Sequence, residues 1–107
     1  MATYLTLSRY TPLGAKGLIK ETAAGRRAAL QTAIEGSGGK IIGLYLTHGK
    51  YNIVLISETP DDVNAATLQL IVQAAGVVED GETYRLYSTQ EVDAALAKGL
   101  QFRAANV

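Results

Sequence analysis

A chain of 107 residues with ten basic and ten acidic side chains has the size of one domain and no net field to draw in a phosphate backbone or an acidic membrane surface. It contains no cysteine, which excludes a disulfide framework, a thiol nucleophile and a thiolate metal site. MATYLTLSRY has neither a basic nor a long apolar leader region, and no apolar run approaches the roughly 20 residues of a membrane span, so the expectation is one soluble cytoplasmic domain over 1–107, with no nucleic-acid or membrane partner.

From Thr3 to Tyr10 the residues alternate, Leu5 and Leu7 on one side and Tyr4, Thr6, Ser8 and Tyr10 on the other, the pattern of a two-faced strand. TPLG then reads as a turn. Helix formers follow from about Ala15 to Glu35, weakened by Gly17 and Gly25, which predict a split into a short and a long piece. Ala29, Leu30, Ala33 and Ile34 share a stripe expected to cover the sheet. GSGG, Gly36 to Gly39, ends the helix with residues that tolerate a left-handed cap. Lys40–Thr47 and Tyr51–Glu58 predict a hairpin turning near Gly49. TPDD predicts a helix start with Thr59 as N-cap and Pro60 in the first helical position, and Val63, Ala66, Leu70, Ile71 and Ala74 as the inward face. Val77–Tyr87 reads as a last strand interrupted near EDGE. STQE is a capping box that opens a short helix to about Lys98, with the core of the domain at about 2–97 and a short tail after it.

The resulting order, β-α-β-β-α-β plus a C-terminal helix, is an α+β ferredoxin-like arrangement: a four-stranded antiparallel sheet with its helices on one face. Placing Leu5, Leu7, Ile53 and Leu55 under the helices sends Tyr4, Thr6, Ser8, Tyr45, Thr47, Asn52, Val54, Ile56, Arg85 and Tyr87 to the open face. A face so rich in aromatic and aliphatic groups calls for a cover, and the same face of a second copy supplies one. The expected partner is the chain itself, as a homodimer or a ring of dimers.

MATYLTLSRYT, GGKIIGLYLTHGKYNIVLISETPDD and TYRLYSTQEVDAAL together resemble the GYD-domain family of small bacterial proteins, in register from about residue 2 to 97. The most distinctive part is Gly49, Lys50, Tyr51 and Asn52, followed by alternating aliphatics; where the family motif ends in aspartate this chain has Asn52. The resemblance implies a dimeric α+β barrel and no particular reaction. Relatives of that architecture include cofactor-free oxygenases, haem or chlorite enzymes, isomerases and simple binders.

Single residues narrow the chemistry further. His48 is the one imidazole, suited by its ordinary pKa to act as a general base, yet the local sequence offers no acid to orient it, and a partly exposed turn residue is the plainer reading. One histidine and no cysteine give a metal few ligands, so neither a metal nor a cofactor is expected. Gly49, Tyr51 and Asn52 have structural uses: turn, aromatic packing and side-chain hydrogen bonding to backbone; an amide at Asn52 also cannot exchange a proton as a carboxylate does. Tyr4, Tyr45 and Tyr87 present flat walls with one hydroxyl each, and Arg85 requires an acid or an anionic ligand, so a small planar or anionic molecule is the ligand this set would suit. The function expected is a homo-oligomeric small-ligand-binding or assembly protein. The alternatives are a cofactor-independent oxygenase or isomerase acting on a small aromatic or carbonyl compound through Tyr45, Arg85 and His48, and a structural or regulatory subunit of a hetero-complex.

Overall fold

Four strands, β1 (Ala2–Tyr10), β2 (Lys40–Leu46), β3 (Ile53–Thr59) and β4 (Val78–Leu86), form one antiparallel sheet in the order β2-β3-β1-β4. Between and after them run α1 (Pro12–Gly36), α2 (Asp62–Ala74) and α3 (Thr89–Ala97), which gives the expected ferredoxin-like order with a terminal helix. The structure is a computed structural model that describes residues 1–99, 102, 103 and 105.

Local chemistry sets the ends of the elements. α3 begins with the predicted capping box: Ser88 accepts from the Glu91 amide and Glu91 accepts from the Ser88 amide. α1 ends at Gly36, and the chain leaves it through Gly38 at φ +85°, a conformation open to glycine and costly for a Cβ. Two helix starts differ from expectation. TPLG is not a turn; Thr11 is the N-cap, accepting from the Gly14 amide at 3.1 Å, and Pro12 opens the helix directly. In TPDD the cap is Asp61, which accepts from the Asn64 amide at 2.8 Å, while Thr59 closes β3 and donates to the Asp61 carbonyl at 3.0 Å. α1 is split as predicted, but at Thr22 (φ 73°, ψ 161°), whose hydroxyl accepts from the Gly25 amide at 3.2 Å and so caps the second half.

The larger correction concerns faces. In the β1–β3 pairing Tyr4 lies opposite Ser57, Thr6 opposite Leu55 and Ser8 opposite Ile53. Directly opposed residues share a face, so the hydroxyl side of β1 sits with Ile53 and Leu55 beneath the helices, not on the open side. Leu5 and Leu7 pair with Ile56 and Val54 and form the open face. Tyr84 and Glu82 from β4 and Gly43 and Tyr45 from β2 complete its rows. Two irregularities adjust the sheet, between Ile41 and Gly43 on β2 and at the predicted EDGE interruption on β4, where Asp80 takes φ 52° and Arg9 reaches both Glu79 and Asp80.

The helix-side core is thin. Ile34 is fully buried, and Tyr4, Ile53 and Leu55 are nearly so. Ala29 and Ala33 of the predicted α1 stripe are exposed, leaving Leu30 and Ile34 as its inward members. α2 is rotated from expectation: Ala65, Leu68, Gln69 and Val72 are half-buried, whereas Val63, Leu70 and Ile71 are more than 60% exposed. The space these small and polar inward residues leave over the sheet is what makes a site possible.

Candidate functional site

Between the helix-side face of the sheet and the inner surfaces of α1 and α2 lies a cavity of about 260 Å³. β1 supplies its floor with Tyr4, Thr6, Ser8 and Tyr10, β3 adds Ile53, Leu55, Ser57 and Thr59, and α2 closes it with Ala65, Leu68, Gln69 and Val72. The floor is therefore apolar in the middle and studded with hydroxyls, a direct result of the alternation in β1 being turned inward.

Several of these hydroxyls are already engaged. Thr6 and Thr83 approach at 3.5 Å, Thr83 donates to the Gln69 side-chain carbonyl at 3.1 Å, and the Tyr4 hydroxyl donates to Asp62. Ser8 and Ser57 differ. They are only 7% and 6% exposed and line the cavity, and their hydroxyls have no hydrogen-bond partner among the described residues. Every fully enclosed side-chain polar atom among those residues is satisfied, so these two oxygens open onto the cavity itself. Burial pushes the Tyr10 phenol above its ordinary value, offset in part by the Arg26 charge, and keeps it a neutral donor.

A second recess of about 360 Å³ adjoins the first and shares Tyr4, Ala65, Gln69 and Thr83 with it. Here the structure brings together three residues singled out in the sequence: Arg85 lies 5.9 Å from the Tyr4 ring centre and 4.7 Å from that of Tyr87. The acid that Arg85 requires is Glu91, at 3.4 Å, and its guanidinium also donates to the Leu86 carbonyl. These three side chains flank the helix side of the sheet rather than the open face assigned to them.

Tyr45 is apart from them, opposite Val54 on the open face and 62% exposed, its ring lying over Gly43. His48 is exposed in the hairpin connection, with no salt bridge or side-chain hydrogen bond among the described residues. Gly49 takes φ +137° with open space where a Cβ would stand, so it is required by its backbone and not by crowding. Asn52 has a definite task. Its side-chain carbonyl accepts from the Tyr10 amide at 3.1 Å while its own amide donates to the Ser8 carbonyl at 3.1 Å, joining the hairpin to the end of β1. An aspartate has the same acceptor, which accounts for either residue standing there.

The sequence reading missed a cluster on the open face. Tyr84 donates to Glu82 at 2.7 Å. Hydrogen bonds from Tyr84 and then Tyr51 hold the Glu82 carboxyl below the usual glutamate range, and the same carboxylate raises both phenols above theirs. Lys50 stands 5.3 Å from the Tyr51 ring centre. The alternation of β4 carried part of this signal, since Glu82 and Tyr84 are two residues apart; the reach of Tyr51 across β1 did not show.

The sequence model of the GYD domain matches residues 4–96. None of the curated proteins matches the chain. Among solved structures, the crystal structure of TTHA0845 from Thermus thermophilus is similar with a TM-score of 0.51 and 20% identity, over 83% of this chain and 96% of that one. At that identity the likeness speaks for the fold alone.

Proposed function

The chain belongs to the GYD-domain family, and on that premise we propose that it forms a homodimer through its open sheet faces and holds a small organic molecule in its helix-side cavity. The observation that carries this reading is the division of labour on one sheet. Its open face has an aliphatic centre, Leu5, Leu7, Val54 and Ile56, that none of the described elements covers, while its other face lines the cavity. Around the aliphatic centre stand charges of both signs, Lys40 with Glu58 at 3.5 Å and Arg9 with Glu79 at 3.4 Å. A two-fold copy can therefore meet apolar with apolar and positive with negative, the self-complementarity an isologous interface needs. A stable interface buries roughly 800 Å² per partner, a scale that a four-stranded face with its tyrosines can supply.

Binding is favoured over acid–base turnover by the lining of the cavity. No carboxylate or imidazole stands among its lining residues, so nothing there exchanges a proton readily at neutral pH. Light scattering after size exclusion tests the assembly: the expected particle has twice the 11.3 kDa chain mass, and Ile56→Lys yields a folded monomer. A wild-type monomer at micromolar concentration overturns the dimer.

A further inference from the structure

We propose that the cavity selects an uncharged molecule of roughly ten to twelve non-hydrogen atoms bearing a hydroxyl or carbonyl oxygen, read by the Ser8 and Ser57 hydroxyls. The inference rests on the cavity being a binding site and adds the chemistry of what enters it.

Shape comes first. The cavity follows α2 and its C-cap from Ala65 to Ala75, a run of about 15 Å of helix. The lining also reaches across the sheet, from Leu44 on β2 through β3 and β1 to Gly81 and Thr83 on β4, so the cavity is broad as well as long. An engineered cavity of about 150 Å³ accepts benzene, and by the same measure this one of about 260 Å³ holds roughly ten to twelve non-hydrogen atoms.

Charge is decided by the lining. Arg26 is its one charged residue, and Arg26 is already paired with Glu21 at 3.1 Å. A carboxylate or ammonium entering the cavity would lose its hydration with no free countercharge to replace it. An oxygen that is neutral loses much less and gains a partner. Ser8 lies opposite Ile53 and Ser57 opposite Tyr4, so the two serines stand about 13 Å apart along the strands. Each is more than nine-tenths buried and unpartnered among the described residues. A serine hydroxyl both donates and accepts, so it pairs equally with an alcohol or a ketone, while a plain hydrocarbon would leave it unpaired.

Calorimetric titration with 1-decanol and with decanoate at neutral pH tests this. The expected result is saturable 1-decanol binding, decanoate weaker by at least about tenfold, and a loss of about three- to tenfold for 1-decanol in the Ser8→Ala, Ser57→Ala double variant. Decanoate binding as tightly as 1-decanol overturns the uncharged class. A double variant that folds and binds 1-decanol like the wild type overturns the role of the serines. A Leu68→Trp variant, which adds bulk inside the cavity, should abolish binding of both probes. If the wild type binds neither probe, or if Leu68→Trp binds like the wild type, the cavity itself is not the binding site and the reading beneath this proposal fails with it.

Discussion

Replacing Asn52 separates structural from chemical importance in the motif that names the family. In Asn52→Ala the Tyr10 amide loses the acceptor that now stands 3.1 Å away, while the bond from the residue-52 amide to Ser8 survives because it is made by backbone. A lost hydrogen bond costs about 1 kcal/mol, and a donor left without a partner at a half-buried site adds up to about another. For a domain of this size each kcal/mol lowers Tm by about 4–8 °C, so Asn52→Ala should melt about 4–16 °C below the wild type. Asn52→Asp keeps the acceptor and should fall within about 0.5 kcal/mol. Circular dichroism melts of the three proteins at one concentration read this directly, since a shared concentration removes any contribution from assembly. The reasoning is wrong if the aspartate variant is as unstable as the alanine variant, or if the alanine variant melts with the wild type.

A paired glycine test probes how tightly α1 is docked: a Cβ at Gly14 would stand 2.0 Å from the Val77 carbonyl oxygen, whereas one at Gly17 meets nothing within 4 Å. Gly14→Ala should therefore cost about 1–3 kcal/mol by overpacking, and Gly17→Ala should stabilise by about 0.5–1 kcal/mol; equal melting temperatures for the two would show that this end of α1 is not held against β4. The Glu82 cluster predicts a pH dependence with two limbs. Because the folded carboxyl titrates below 4.5, its contribution is complete above that value and is lost as the pH falls through the lower folded pKa. The Tyr51 and Tyr84 phenols are raised above 10.0, so their contribution is present below that value and is lost as the pH rises through the folded pKa. Glu82→Gln should flatten the change in Tm on both limbs relative to the wild type, and identical profiles would refute the cluster.

Element order was legible because its signals are local. Ser88 and Glu91 announce a capping box by spacing alone, Gly49 marks a turn by lacking a Cβ, and the alternation of β1 needs no partner to be seen. One signal was read in the wrong place. Thr followed by Pro is cap and first residue at Thr11 and Pro12, but at Thr59 and Pro60 the strand continues through Thr59, and Asp61 competes successfully for the cap. The faces were not legible, because alternation gives the period of a strand and not its phase against its neighbours. Hydrophobic-inward placement assigned Leu5 and Leu7 to the helices, yet pairing Leu7 with Val54 and Ser8 with Ile53 puts the opposite set beneath them. That error carried the tyrosines with it, grouping Tyr45 with Tyr4 and Tyr87, and it hid the two serines that open onto the cavity.

The inverted faces also have a physical rationale. In the proposed dimer the sheet is covered by helices on one side and by a second copy on the other and has no solvent face, so both sides of each strand would be selected for packing and hydrophobicity would not tell inside from outside. What remains to distinguish them is chemistry. Flat aliphatic residues such as Leu5, Leu7, Val54 and Ile56 suit contact with an identical flat surface, where an unpartnered hydroxyl would be a cost. Hydroxyls such as Ser8 and Ser57 suit a chamber whose occupant can bring its own oxygen, and small inward residues such as Ala65 on α2 leave the room for it. On this argument Ser8→Leu should close the chamber and stabilise the fold while ending 1-decanol binding, whereas Leu7→Ser should weaken assembly and leave the chamber intact. The two substitutions act on adjacent residues of one strand, so opposite outcomes would follow from the pleat alone.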